Sequence, residues 1–168
     1  MASHGNRLRF QPTLFDRLFD NAPQRSSESD PLRGWGIEEL KDHVARDLEA
    51  LLNSRNAMSA EGLREYPVSQ TSLLTYGMGD FVGRSLANPA DRSYICRTLE
   101  RTIKLHETRL RDISVSLVVD DNAVNILHFS IGALLIVEPA QEPVSFDAML
   151  QPTTQRYSVG RGRPHRSN

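Results

Sequence analysis

The sequence predicts an α+β domain in which helices come first and a small antiparallel sheet of three to four strands comes last. Residues 37–55 carry apolar side chains at helical spacing, uninterrupted by Gly or Pro. Residues 113–119 alternate with period two, and residues 124–137 form a longer strand pattern. The change from helical to strand periodicity along the chain is what indicates this fold class.

Length and charge exclude several classes of protein. A chain of 168 residues is one domain with room for one ordered extension. Its net charge of -1 argues against a protein that coats nucleic acid or an anionic membrane. The longest apolar run, 131–137, is too short for a membrane span, and residues 1–10 lack the apolar region of a signal peptide. With Cys96 as its one cysteine and no zinc-like spacing, we expect a cytoplasmic protein without metal or cofactor.

Residues 12–20 predict a short amphipathic helix, which a polar linker separates from the rest of the chain. Its apolar stripe consists of Leu14, Phe15, Leu18 and Phe19. That stripe docks either on the protein's own core or on a partner. An isolated helix of about nine residues is marginal in water, so we expect order only on docking, and in an assembly we expect a neighbouring subunit to supply the surface. The predicted organisation is a short helix and flexible linker (1–36), an α+β domain (37–153) and a basic tail (154–168).

The helix predicted at 37–55 has an acidic outer face, including Asp47 and Glu49, which we interpret as solvated. A second helix is predicted to open at Asn88-Pro89. In the sheet, Pro139 to Pro143 is expected to end the second strand, with short strands following at 144–146 and 156–159. The predicted core residues are Leu48, Leu51, Ile95, Leu99 and Phe129.

A pair of catalytic carboxylates is the enzymatic alternative. Acidic residues crowd one region, namely Glu100, Glu107, Asp112, Asp120 and Asp121. Glycoside hydrolysis needs two carboxyls roughly 5 to 10 Å apart across a cleft. Asp120 and Asp121, however, fall in a predicted hairpin turn, where Asp is favoured for backbone reasons. Neither a Gly-x-Ser-x-Gly elbow nor a phosphate loop is present. The sequence therefore favours a protein that is not an enzyme.

The C-terminal segment contains the one marked block of basic charge, formed by Arg156, Arg161, Arg163 and Arg166. Such a segment either grips nucleic acid or an acidic protein surface, or serves as a solubilising tail. Aromatic residues do not interleave with the arginines beyond Tyr157, which is why the solubilising tail is favoured over nucleic-acid binding.

Glu107 and Arg109 lie at the junction between the second helix and the first strand. Residues two apart on a helix do not face each other, so the two side chains are expected to point apart. One would then hold the fold while the other reaches a neighbouring protein. As exposed charges, either one is expected to tolerate reversal without loss of the fold. This pattern is typical of an interaction site rather than a catalytic one.

Several segments together resemble a known family. In chain order they are Leu14-Phe15-Asp16-Arg17-Leu18, Asp47-Leu48-Glu49 with Leu51-Leu52-Asn53-Ser54-Arg55, Ser72 with Tyr76-Gly77-Met78 and Asp80, and Ile103 with Glu107, Arg109 and Leu110. This set resembles TssE, the baseplate subunit of type VI secretion systems, which is akin to the "lysozyme-like" wedge proteins of phage baseplates. The resemblance covers roughly residues 12–150. The family hallmark at the helix–strand junction is Glu-Pro-Arg, where this chain has Thr108, which frees φ and restores a backbone donor.

The resemblance implies a non-catalytic subunit that connects the baseplate wedge to the contractile sheath. It implies other baseplate subunits (TssF, TssG, TssK) and sheath subunits (TssB, TssC) as partners. It also implies a sheet edge that receives a strand from a partner, which gives affinity through main-chain hydrogen bonds. We assign partner binding to Glu107, Arg109, Leu14, Phe15, Leu18 and Phe19. The competing hypothesis is a lysozyme-like hydrolase that cleaves peptidoglycan.

Overall fold

A computed structural model describes residues 10, 35–59, 61–79, 88–118, 126–137 and 140–162. Within these ranges it contains two α-helices followed by a four-stranded antiparallel sheet. The predicted order of helices before strands is confirmed, and the sheet has four strands. The amphipathic helix predicted at 12–20, with Leu14, Phe15, Leu18 and Phe19, lies outside the described residues.

Helix α1 spans Ile37–Asn53 and helix α2 spans Pro89–His106. The side chain of Asn88 caps α2 by accepting a hydrogen bond from the Ala90 N–H at 2.9 Å, and Pro89 occupies the first helical turn, as predicted. Two 3-10 helices, Pro67–Thr71 and Leu73–Thr75, lie between them.

The sheet is a meander of β1 (Leu110–Val118), β2 (Leu127–Val137), β3 (Ala140–Gln151) and β4 (Arg156–Arg161), in that spatial order. Helix α2 contacts β1. The buried face of β2 follows the predicted alternation, with Phe129, Ile131, Ala133, Leu135 and Val137 all buried. The predicted core residues Leu48, Leu51, Ile95, Leu99 and Phe129 are all at most 3% exposed, which confirms both helix registers.

The predicted interruption of the sheet at Pro143 is wrong. Pro143 lies inside β3, which runs from Ala140 rather than from residue 144, and faces Leu134 of β2. Proline has no N–H to donate to a ladder, so it is tolerated where one side of a strand is unpaired. The described β3–β4 pairing ends at Phe146, three positions away, so Pro143 lies beyond it.

Strand β4 confirms the short strand predicted at 156–159, and it lies within the segment that the sequence also assigned to a basic tail. Arg156 and Arg161 are the two ends of β4, and both pair with β3. Tyr157 is buried between them, which explains why an Arg-rich segment joins the sheet.

Strand β1 begins at Leu110, earlier than the predicted 113. The register with β2 shifts between Arg111 and Ser114, and Asp112 adopts a positive φ of 48°. This bulge hides the period-two pattern at the start of the strand, because one extra residue changes which face each side chain occupies.

The chain divides into two compact units, Met1–Val44 and Ala45–Asn168. In the first, Phe10 and Trp35 form an isolated antiparallel bridge, and the Trp35 ring stacks on His43 at a centroid distance of 3.5 Å. The second contains the whole sheet. The domain limit predicted at residue 36 stays a prediction. In the described part of the chain, no helix is long and apolar enough to cross a membrane.

Candidate partner-binding site

Arg109 lies at the centre of a cluster that joins helix α1 to the junction between α2 and β1. Its Nε donates to Glu107 Oε1 at 2.8 Å, and its Nη2 donates to Glu107 Oε2 at 2.5 Å. The same Nη2 donates to Asp47 Oδ2 at 2.6 Å. The fork of a guanidinium matches a carboxylate in this bidentate way, which makes the contact both strong and directional.

The prediction that Glu107 and Arg109 point apart is wrong. Glu107 is the C-cap of α2, with φ -106° and ψ 86°, so the helical rule for residues two apart does not apply there. The chain turns at Thr108, and the backbone N–H of Arg109 also donates to Glu107 Oε1, at 3.1 Å. The turn therefore directs both side chains to the same place.

Glu107 is not the exposed charge that the sequence suggested. Its side chain is 9% exposed, against 27% for Arg109 and 42% for Asp47. Hydrogen bonding to Glu107 is the main cause that raises the pKa of Arg109 above its ordinary value, with Asp47 contributing less. The cluster is therefore buried at Glu107 and opens toward solvent at Asp47.

Asp47 is the site residue that sequence reasoning missed. It was interpreted as one of several solvated acids on the outer face of α1, whereas it is an ion-pair partner of Arg109, 62 positions away. The sequence did offer one signal for Asp47. It is the first residue of Asp47-Leu48-Glu49, which begins the second of the segments that resemble the known family. Its partner could not be identified from helical spacing alone.

Tyr76 and His106 lie close to the cluster. The His106 ring approaches Tyr76 edge-on at 5.4 Å, and its Nε2 lies 2.9 Å from the Thr75 carbonyl oxygen. Burial raises the pKa of Tyr76, and the charges of Asp47 and Glu107 raise it further. The segment around Tyr76 is thus brought beside the charged residues.

Gly77 fixes this segment against the end of helix α1. Its φ is +107°, and a Cβ there would lie 2.5 Å from the Ser54 carbonyl oxygen. That oxygen accepts a hydrogen bond from the Met78 N–H at 2.8 Å, and Met78 is fully buried. Two motif segments that are distant in the sequence, around residues 54 and 77, therefore meet through their backbones, and only glycine fits at the contact.

Of the remaining candidate acids, Glu100 and Asp112 are described, and neither hydrogen-bonds to Asp47, Glu107 or Arg109. Asp120 and Asp121 lie outside the described residues, and Asp112 is exposed in the β1 bulge. Over the described ranges, no group of three or more His, Cys, Asp or Glu side chains is arranged to hold a metal ion.

Comparison with known protein families gives a match. The family model described as "Baseplate wedge protein gp25" matches residues 38–140, which is more than half of the chain. The match covers Asp47, Gly77, Glu107 and Arg109, as well as strands β1 and β2. A search of curated proteins finds no match.

Proposed function

The chain belongs to the baseplate wedge protein gp25 family, to which TssE-like proteins correspond, and on this premise we propose that it is a non-catalytic subunit of a type VI secretion baseplate. Family membership supports a structural role in a phage-type baseplate and interaction with other baseplate proteins. The finer proposal is that the subunit joins the baseplate wedge to the first ring of contractile sheath in the cytoplasm. TssF, TssG and TssK would be its wedge partners, and TssB and TssC its sheath partners.

The Arg109 cluster is the observation that carries this proposal. Arg109 uses Nε and Nη2 inside the cluster, while its Nη1 has no hydrogen-bond partner among the described residues. Asp47 uses Oδ2, and its Oδ1 likewise has none there. The cluster therefore holds in place a donor on Arg109 and an acceptor on Asp47, on side chains that are 27% and 42% exposed. Preorganised charged groups favour protein recognition because little side-chain entropy is lost on binding.

The same geometry favours a structural role for Glu107 over an acid–base role. Both carboxylate oxygens of Glu107 accept hydrogen bonds from Arg109, and one accepts from its backbone as well. The carboxylate is thereby occupied by the protein itself and is shielded from solvent. A general acid or base needs a carboxyl group within reach of substrate.

The assembly role is tested with the exposed member of the cluster. Asp47→Ala removes the acceptor but leaves the Glu107–Arg109 pair, so we expect a folded protein with reduced sheath assembly and secretion. Glu61→Ala, in an exposed ion pair with Arg101, is the matched control and should assemble normally. Sheath formation is followed with a fluorescent sheath subunit, and protein level by immunoblot. Normal sheath assembly in both Asp47→Ala and a folded Arg109→Lys would contradict the role of the cluster.

The hydrolase alternative has its own test. Purified protein is incubated with cell-wall sacculi beside a muramidase as positive control, and released muropeptides are measured. We expect none from this chain. Release that disappears in Glu107→Gln would overturn the non-catalytic proposal.

A further inference from the structure

One loop between helices α1 and α2 carries most of the large apolar side chains that are exposed in the described part of the chain. Of nine such residues, five fall between residues 58 and 74, namely Met58, Tyr66, Val68, Leu73 and Leu74. Val68 and Leu73 project furthest, since they are 87% and 85% exposed. Single apolar residues are ordinary on a protein surface, whereas several in one segment indicate a contact surface. This segment, residues 57–75, is called the apolar loop below.

Hydrogen bonds fix the apolar loop without using its apolar side chains. The N–H groups of Ala57 and Met58 both donate to the Leu74 carbonyl oxygen, at 3.1 and 2.9 Å, and so join the two ends of the loop. Near the second end, the Thr75 hydroxyl donates to the Gln70 carbonyl oxygen at 2.8 Å, and Thr75 is buried. The exposed side chains are therefore carried on a backbone that already has a defined conformation. A surface of this kind loses little conformational entropy on binding.

Two contacts place the apolar loop beside helix α2. Arg101 Nη1 donates to Glu61 Oε1 at 3.0 Å, and both side chains are largely exposed, at 59% and 64%. Further along α2, His106 Nε2 lies 2.9 Å from the Thr75 carbonyl oxygen. The loop therefore runs along the last turns of α2 and meets that helix on its solvent-facing side.

The solvent-facing side of α2 carries three cations, called the cationic row below. Arg97, Arg101 and Lys104 are four and three residues apart, so they lie along one helix face, and all three are exposed. Arg101 pairs with Glu61, whereas Arg97 and Lys104 have no ion-pair partner within the described ranges. Arg97 and Lys104 are about 10 Å apart along the helix axis. A partner gains electrostatic complementarity here by supplying carboxylates at a similar spacing.

Acidic residues in the same two segments favour a protein partner over an anionic membrane. Glu61 and Glu65 lie in the apolar loop, and Glu100 lies in α2. An anionic membrane surface repels each of these carboxylates, whereas a protein surface can oppose every charge with one of the opposite sign. Side chains that project as far as Val68 and Leu73 also need a recess to be buried. In a symmetric contact between two copies, the same projections would be present on both sides, which favours a different protein as the partner.

From these contacts we propose that the apolar loop and the cationic row of α2 form one docking surface. Its occupant is a different protein, with an apolar recess that receives Val68 and Leu73 and with carboxylates beside it that pair with Arg97 and Lys104. The identity of that protein as another baseplate subunit rests on the proposed function. The docking surface adds a second contact region to the one assigned to the Arg109 cluster.

The first experiment maps the docking surface in the intact cell without assuming a partner. The photoreactive residue p-benzoylphenylalanine replaces Leu73 in the full chain, and cross-linked peptides are identified by mass spectrometry after irradiation. We expect a cross-link to a peptide of a different protein, rich in apolar and acidic residues, and its loss when Lys104→Glu is added. The same probe at Met149, which is 39% exposed on β3, is the control and should not reach that peptide. Cross-links only to a second copy of this chain, or none at all, would overturn the proposal.

The second experiment measures the dissociation constants of the full chain for purified TssF, TssG and TssK. Leu73→Ser and Lys104→Glu should each weaken one of these interactions at least tenfold, whereas Lys104→Arg keeps the charge and should bind like the wild type. Met149→Ser and Arg156→Glu change exposed residues of the sheet and should have no effect. Wild-type affinity of both Leu73→Ser and Lys104→Glu would overturn the docking surface and leave the proposed function intact. If the wild type binds none of the three subunits, the proposed function is wrong, and the first experiment still decides the docking surface.

Flotation with vesicles of phosphatidylcholine and phosphatidylglycerol tests the membrane alternative. We expect the isolated full chain to stay unbound. Flotation of the wild type that is lost in Leu73→Ser would assign the surface to a membrane and overturn the protein partner.

Discussion

Arg109 donates hydrogen bonds to the Glu107 carboxylate both from its guanidinium and from its own backbone N–H. Both kinds of bond reach Oε1, so the side chain of Glu107 fixes the conformation of the turn as well as the direction of Arg109. The turn in question joins helix α2 to β1, and Leu110 N–H donates back to the Glu107 carbonyl oxygen at 3.2 Å. Glu107 thereby holds the connection between the helical and sheet parts of the chain.

Removing Arg109 is expected to destabilise the protein. Arg109→Ala leaves the buried carboxylate of Glu107 without its cation, so we expect a loss of about 3 kcal/mol, the lower part of the range for breaking a buried ion pair. Arg101→Ala breaks the exposed pair with Glu61 and should cost less than about 1 kcal/mol. Urea unfolding of both variants checks the difference. Equal stability of the two would mean that the burial of Glu107 does not matter energetically.

Gly77 is expected to resist substitution. Gly77→Ala places a Cβ against the Ser54 carbonyl and forces a positive φ on alanine, so we expect a loss of about 2 to 4 kcal/mol from strain and displaced backbone. Gly160→Ala is the matched control, because a Cβ there meets nothing within 4 Å. Thermal unfolding should separate the two variants clearly. A mild effect at Gly77 would contradict the close approach to Ser54.

The buried phenol of Tyr157 is expected to make the protein less stable at alkaline pH. Burial raises its pKa to about 12 from the ordinary 10.0, so the folded state keeps the phenol proton where the unfolded state loses it. The contribution of the neutral phenol to the free energy of unfolding is therefore complete below pH 10. It is lost as pH rises toward 12, and the loss amounts to about 2 to 3 kcal/mol.

The test of this prediction is Tyr157→Phe. The phenol O–H has no hydrogen-bond partner among the described residues, so the variant should be at least as stable as the wild type at pH 7. It should also lose less stability between pH 10 and 12. Tyr66→Phe, at a residue 62% exposed, is the control. Denaturant unfolding at several pH values gives the comparison, and parallel pH curves for all three proteins would count against it.

The burial of Leu51 in α1 and Leu99 in α2 leads to a further prediction. Leu51→Ala and Leu99→Ala each truncate a buried side chain and should cost about 2 to 5 kcal/mol. Leu73, 85% exposed in the second 3-10 helix, should tolerate the same change. Wild-type melting temperatures for the Leu51 and Leu99 variants would be inconsistent with the burial described above.

The parts of the fold that were predictable from the sequence are those set by local periodicity. The apolar stripes of α1 and α2 and the alternation of β2 each repeat over many residues, so one exception does not hide them. The Asn88-Pro89 start of α2 was predictable for a similar reason, because a cap acts on its immediate neighbours. The inclusion of Pro143 in β3 was not predictable from the sequence, because it depends on which side of that strand has a neighbouring strand.

Two members of the cluster, Glu107 and Arg109, were singled out from the sequence, but the geometry of the cluster was not predictable. Glu107 and Arg109 were identified, yet their mutual orientation depends on a non-helical residue at the end of α2. Asp47 and Glu49 were interpreted as acids of a solvated helix face, and Asn53 had no predicted role beyond its place in a family-like segment. Each acts on a residue more than 60 positions away, and nothing in local spacing reports such a partner.

The bonds between Asn53 and Tyr157 join residues 104 positions apart, whereas each strand of the meander pairs with the next one along the chain. Pairing of neighbouring strands closes short loops and is therefore kinetically favoured. The bonds from helix α1 to β4 can form only after β4 has been synthesised. During synthesis, β3 is therefore complete before β4 has left the ribosome, and for that interval its far edge is unprotected. Termination of synthesis before Arg156, where β4 begins, would leave the chain in that vulnerable state permanently.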